Sequence, residues 1–293
     1  MICNTVLLSS RVLFVFKRHN KLFQIKSEFL RSMTTNTDHL ERTAASWRNP
    51  LYTTATVVAI KEESKTVKRL KLKIHDPKFT FKAGQWIDMA IPQISTVGGF
   101  SMCSTPEQLQ KEGTLDLAVK YSKHPPADWV HTKCKEGTVL MVRSGGDVFY
   151  DPGPSEPPHD LLLIAGGIGI NPLHSIFSHV SDQSKGNNSV AEKVQLLYSA
   201  VTEDELIFKS DIEDMATKNS QLRCQFHVTK VKSNFGCKAG RINEEDIKET
   251  FKWLNKDHTK TYICGPSPMI ADIKNILVKL GLNKKSIFYE KWW

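Results

Sequence analysis

Two periodicities divide the chain. Up to about residue 150 the apolar positions alternate with polar ones or fall in short runs, the period-two signature of strands. The segments 54–60 (TATVVAI), 69–74 (RLKLKI), 85–92 (QWIDMAIP), 115–121 (LDLAVKY) and 138–143 (TVLMVR) are separated by turns rich in Gly, Pro and Lys. Closely spaced strands with no long helix between them predict a small antiparallel β-barrel over residues 50–150. The stretch 151–158, DPGPSEPP, supports neither strand nor helix and reads as a linker. Beyond it, strands at 161–165, 194–200, 222–229 and 261–265 alternate with helical segments near 172–180, 203–217, 243–254 and 267–280. In the last of these, Met269, Ile273, Ile276, Leu277 and Leu280 mark one apolar face. Strand–helix alternation over 160–293 predicts a doubly wound parallel α/β sheet.

The first strand of that second half ends unusually. Leu161-Leu162-Leu163-Ile164 runs into Gly166, Gly167 and Gly169, then Asn171-Pro172. Proline suits the first turn of a helix, and Asn171 is expected to cap it. Glycines followed by a helix start let backbone N–H groups approach a phosphate. The pattern is G-x-G-x-x-P rather than the dinucleotide fingerprint G-x-G-x-x-G, and a tight strand-to-helix turn is the alternative. Its place after the first strand of a doubly wound sheet favours nucleotide binding.

Charge and composition narrow the function classes. A chain of 293 residues, 40% apolar and 24% charged, suits two globular domains. The formal charge is +9, but residues 1–33 hold Arg11, Lys17, Arg18, Lys21, Lys26 and Arg31 against Glu28 alone. That is +5 of the +9, leaving +4 for the rest, so a nucleic-acid-binding surface is not indicated. The basic, serine-containing, acid-poor segment 1–33 reads as a mitochondrial transit peptide. A secretory signal built on the VLFVF run at 12–16 is the competing reading. Arg11 breaks its apolar run, Lys17-Arg18 follow at once, and no A-x-A-like site appears. No apolar run approaches the ~20 residues of a membrane span. The six cysteines (Cys3, Cys103, Cys134, Cys224, Cys237, Cys264) form no C-x-x-C pair, which argues against a metal or iron–sulfur site and a disulfide framework.

A barrel followed by such a sheet, with GGIGINP at 166–172, YICGPSPM at 262–269 and a terminal FYEKWW, resembles the ferredoxin reductase-type flavoprotein reductases. The segments FKAGQWIDMAIP (81–92), GGFSMCSTP (98–106) and AVKYSKHPPADWVH (118–131) extend the resemblance through the barrel. It implies FAD on the barrel and NAD(P)H on the second half. Gly166, Gly167, Ile168, Gly169, Ile170 and Asn171 would wrap the dinucleotide pyrophosphate. Cys264-Gly265-Pro266 would lie beside the nicotinamide. Trp292 and Trp293 would cover the flavin, or simply pack the chain end. The family's flavin motif R-x-Y-S is here Gly98-Gly99-Phe100-Ser101, so Phe100 would stack on the ring and Ser101 would bond near it, without the phosphate-binding arginine. A second element that grips the phosphate with Ser or Thr is here Pro126-Ala127-Asp128-Trp129. Losing a charge-assisted bond and a hydroxyl weakens binding by several kcal/mol unless they are replaced. Lys120 is a candidate replacement, with an ordinary solvated strand lysine as the favoured reading.

The sequence therefore predicts an NAD(P)H-dependent oxidoreductase that passes hydride between nicotinamide and flavin, with an unidentified final electron acceptor. No catalytic side chain is assigned. The alternative is a nucleotide-binding regulatory or interaction protein that has lost flavin chemistry. NADH is expected over NADPH: Glu203, Asp204 and Glu205 would repel a 2′-phosphate, and no arginine stands near Val201. Ser199 would serve either ribose, and Arg223 or Arg241 could supply the missing charge by folding back.

Overall fold

The computed structural model describes residues 38–153, 155–185, 190–230 and 236–291. The segment 1–33 and the pair Trp292, Trp293 lie outside these residues.

Helix α1 (Asp38–Arg42) and the chain after it lie along the outside of the barrel. They are anchored by a carboxylate with no solvent exposure, Asp88. His39 Nε2 lies 2.7 Å from Asp88 Oδ1, while Arg48 Nε and Arg143 Nε donate to Oδ2 at 3.1 and 2.6 Å. Burial alone would raise the Asp88 pKa, but the His39 bond and the Arg143 guanidinium hold it below the usual carboxylate range.

The barrel strands are β1 (Thr53–Ser64), β2 (Val67–Ile74), β3 (Trp86–Ala90), β4 (Gly98–Ser101), β5 (Thr114–Lys120) and β6 (Val139–Gly145). They run antiparallel in the order β4-β3-β6-β1-β2-β5, and the Met102–Leu117 bridge joins the two edges. In β2, Leu70, Leu72 and Ile74 point into the barrel and the lysines between them point out, as period two requires. Two short helices were not expected, α2 (Pro106–Glu112) and α3 (Pro125–Thr132). The start signal of α2 was present in the sequence: Thr105 Oγ1 accepts from the Gln108 amide, and Pro106 opens the first turn.

The second sheet holds β7 (His159–Gly166), β8 (Ala191–Ala200), β9 (Leu222–Val228), β10 (Lys238–Ala239), β11 (Thr259–Cys264) and β12 (Ile287–Glu290). All its strands are parallel, in the order β10-β9-β8-β7-β11-β12. Every residue of β7 is buried because both faces are covered. Leu161, Leu163 and Ala165 pack with α4 (Ile170–Lys185) and α5 (Lys209–Lys218). Leu162 and Ile164 pack with α6 (Glu244–Thr250) and α7 (Ser267–Lys279). The strand order reverses between β7 and β11, the place where such sheets open a crevice at their carboxyl ends.

Some elements differ from the sequence pattern. The segment expected as one helix over 203–217 is a 3-10 turn at Glu203–Glu205 followed by α5. Leu206, Ile207 and Phe208 turn into the core, and Phe208 takes φ +63°, which interrupts a helix. Strand β12 was not expected at all. Asn171 is not a cap: it lies inside α4, which begins one residue earlier after a 3-10 turn at Gly167–Gly169.

Polar bonds cross the seam between the halves. Asn171 Nδ2 donates to the Ala118 carbonyl at 2.7 Å, and Ser175 Oγ to that of Ser104 at 2.6 Å. His174 Nδ1 lies 2.7 Å from the Cys103 carbonyl, and burial pushes its pKa down, so it serves as a neutral donor.

Candidate functional site

A cleft of about 780 Å³ lies between the barrel and the carboxyl ends of β7 and β11. Its sheet wall is built by two loops that meet backbone to backbone. A Cβ on Gly169 would collide with the Cys264 carbonyl and lie 2.7 Å from the Gly265 nitrogen. One on Gly265 would come within 3.1 Å of the Gly166 backbone. These glycines let the β7 and β11 loops touch. The glycine that faces the opening is Gly167, with φ +54° and no atom within 4 Å of where a Cβ would stand. The helix start that follows it offers unpaired amides and partial positive charge.

Of the residues singled out in the sequence, Gly166, Gly167, Ile168, Gly169, Asn171, Cys264, Pro266, Phe100 and Ser101 line this cleft. Gly265 and Ile170 do not: Gly265 packs on the Gly166 backbone. Ile170 is fully buried in the core between sheet and helices, because the first turn of α4 directs it inward. Cys264 is buried, and burial together with the Glu290 carboxylate raises its pKa well above the ordinary thiol value. It stays a neutral S–H and is no nucleophile. Asn171 is bridged on one side only: its Oδ1 is buried and has no hydrogen-bond partner among the described residues. A buried acceptor left unpaired costs about 1–3 kcal/mol, so a ligand N–H there would relieve it.

The barrel wall differs in kind. A Cβ on Gly98 would fall into the Phe100 ring and lie 2.8 Å from Pro126 Cβ. One on Gly99 would overlap the His39 imidazole. The place of the family's arginine is thus filled rather than vacated. Helix α3 opens on Pro125 and Pro126, which carry no amide hydrogens, and Asp128 adds a carboxylate to its first turn. Lys120 does not point to a free anion site, since its Nζ donates to Glu205 Oε2 at 2.7 Å. Glu205 Oε1 also accepts from Thr66 Oγ1 at 2.7 Å and Ser64 Oγ at 3.0 Å. Burial would raise the Glu205 pKa, yet these bonds bring it below its ordinary value. The residues present therefore do not fit a flavin diphosphate.

Arg42, exposed, and Arg241, also exposed, are the arginines that reach the cleft. Arg223 instead stacks on Trp253 at 4.1 Å. His39, Arg42, Tyr121, Thr229 and Asp272 also line the opening and were missed. His39 and Arg42 precede the barrel and carry no local motif, whereas Tyr121 sits inside AVKYSKH beside Lys120.

Residues 163–275 match the oxidoreductase NAD-binding domain family. A relative from Danio rerio, oxidoreductase NAD-binding domain-containing protein 1, is 44% identical over 267 residues, which are 88% of this chain and 98% of the relative. The fold is that of the FAD/NAD-binding domain of nitric oxide dioxygenase from Vibrio cholerae, with a TM-score of 0.68, 19% identity, and coverage of 82% of this chain and 98% of that one. It is likewise that of a ferredoxin NADP+ reductase from Neisseria gonorrhoeae, with a TM-score of 0.68, 19% identity, and coverage of 84% and 100%.

Proposed function

This chain belongs to the oxidoreductase NAD-binding domain-containing protein 1 family, and from that premise we propose that it is an NAD(P)H-dependent oxidoreductase acting in the cleft at the switch point. One observation carries the reading: Gly167 opens the end of β7 where no other side chain intrudes, in the cleft that Asn171, with its unpaired Oδ1, also lines. The amides at the start of α4 would hold the pyrophosphate. Asn171 Oδ1 would accept from a ligand amide, and Pro266 and Met269 give the ring an apolar bed. Bound there, a reduced nicotinamide supplies a hydride. The neutral Cys264 thiol adds no charge that would oppose the positive ring formed when hydride leaves. The protein contributes position and shielding from water.

NADH is the proposed donor, because the turn after β8 carries Glu203, Asp204 and Glu205 and no arginine. Two of these acids are engaged, Glu205 by Lys120 and Glu203 by Lys209 at 3.5 Å. Arg241 is the group that a 2′-phosphate would need. Titration calorimetry with both nucleotides tests this: NADH binding is expected, tighter NADPH binding overturns the preference, and no binding of either overturns the function. We also propose a mitochondrial location, on the basic and acid-poor segment 1–33. Deleting it should leave the protein in the cytosol, and a truncated chain that still enters mitochondria would refute the assignment.

A second reading, a nucleotide-binding regulatory protein, is favoured by the filled flavin-phosphate position. It predicts nucleotide binding with no NADH oxidation under any acceptor.

A further inference from the structure

We infer that the barrel wall of the cleft receives an uncharged, planar redox-active ring as a diffusing acceptor, not a flavin held by its diphosphate. The inference rests on the oxidoreductase reading and names the acceptor class for the same cleft.

Four features weaken an anion site on this wall. The Cβ position of Gly98 is occupied by the Phe100 ring and Pro126, so a side chain there would have to displace both. The first two residues of α3 are prolines, which deletes two of the amide donors that a helix start offers to phosphate and leaves that of Ala127. Asp128 in that same turn repels an anion. Lys120, a cation lining the cleft, is bound to a carboxylate that also accepts from two hydroxyls. Arg42 and Arg241 line the cleft, but both are exposed, and solvent-screened charges do not replace a cradle of directed donors. A diphosphate seated here would lose water and gain few directed donors in return.

The surface suited to a ring is intact. Phe100, Ala118 and Ala127 on the barrel face Pro266, Met269 and Ile273 on the sheet side across the cleft. Its volume of about 780 Å³ lies within the ~300–1,000 Å³ of small-molecule sites and leaves room for a ring beside a nicotinamide. The electron balance closes with a quinone or a phosphate-free isoalloxazine. The C–H bond of the reduced nicotinamide breaks, its hydrogen and electron pair pass to the ring, and one proton from solvent completes the two-electron reduction. NAD(P)H and H+ thereby give NAD(P)+ and the dihydro-ring.

The test uses the purified full chain. Binding of riboflavin, FMN and FAD is measured by quenching of flavin fluorescence, and NADH oxidation is followed with riboflavin or menadione as acceptor. Expected are a protein that purifies without flavin absorbance, reduction of at least one acceptor, and, where riboflavin binds, an affinity within about threefold of that for FAD or tighter. Riboflavin binding assigns the ring to an isoalloxazine; reduction of menadione alone assigns it to a quinone. Phe100→Ala should weaken the active acceptor by about tenfold, a loss of one stacking partner. Because Phe100 also packs on the barrel core, the wild-type ratio of riboflavin to FAD affinity is an independent readout. FAD that co-purifies or binds at least tenfold tighter than riboflavin overturns the inference. So does a protein that binds NADH but neither binds nor reduces either probe. Absence of NADH binding instead overturns the function on which the inference rests.

Discussion

On the sheet wall of the cleft, Gly167 leaves the space beside its Cα empty, whereas on the barrel wall Gly98 gives that space to the Phe100 ring and Pro126. Both walls face one cavity and both carry paired glycines, yet one is kept open for a ligand and the other is closed by its own protein. A glycine in a motif therefore reports only that a side chain is excluded. Whether a ligand or a neighbouring residue takes the room depends on the packing around it. The walls also differ in support. The sheet wall is two loops in backbone contact between apolar layers, and the barrel wall is backed by a buried charge cluster that presses His39 onto Gly99.

Breaking the charge cluster should have the largest effect. Asp88→Ala leaves Arg48, Arg143 and His39 without their shared carboxylate, and removing one partner of a buried network costs about 3–5 kcal/mol. Denaturant unfolding measures it. The Asp88 pKa is lowered in the folded state, so its contribution is complete above the unfolded value of about 3.9 and is lost as pH falls through the folded one. Wild-type stability should drop below about pH 4, and the variant should lack that part of the drop.

On the opposite wall the two glycines should separate. Gly169→Val forces a side chain into the Cys264 carbonyl and should destabilise by about 3 kcal/mol, the upper end of ordinary overpacking. Gly167→Ala costs about 1–2 kcal/mol for its left-handed backbone and should leave a folded protein with weakened NADH binding. Equal stability of the two variants would erase the distinction drawn between them.

Restoring the family's arginine sharpens the contrast further. Gly98→Arg should destabilise by about 1–3 kcal/mol and fail to create FAD affinity, because Phe100 and Pro126 fill the site. FAD fluorescence quenching by the variant would show the position to be vacant after all. The smallest effect belongs to the bond between the walls: Lys120 is partly exposed, so Lys120→Met should change stability by under about 1 kcal/mol. Thermal melts at low and high salt would detect a larger role.

Periodicity alone specified the two halves, since alternation in β2 and the double-faced burial of β7 follow from local pattern and the need to cover apolar faces. The glycine turn after β7 was legible because a strand, a positive φ and a helix start are all local events. What the missing arginine meant was not legible. The absence was plain in Gly98-Gly99, but its consequence depended on Pro126, 28 positions along the chain, and on His39, which local pattern cannot link to it. Asn171 shows the same limit: its composition suits a cap, yet α4 starts earlier and the side chain spans to Ala118 across the seam. Local pattern fixes where strands, turns and helices form, because backbone conformation is decided by neighbours in sequence. Which atoms fill the space beside a missing side chain is decided by neighbours in space, and those the tertiary fold alone supplies.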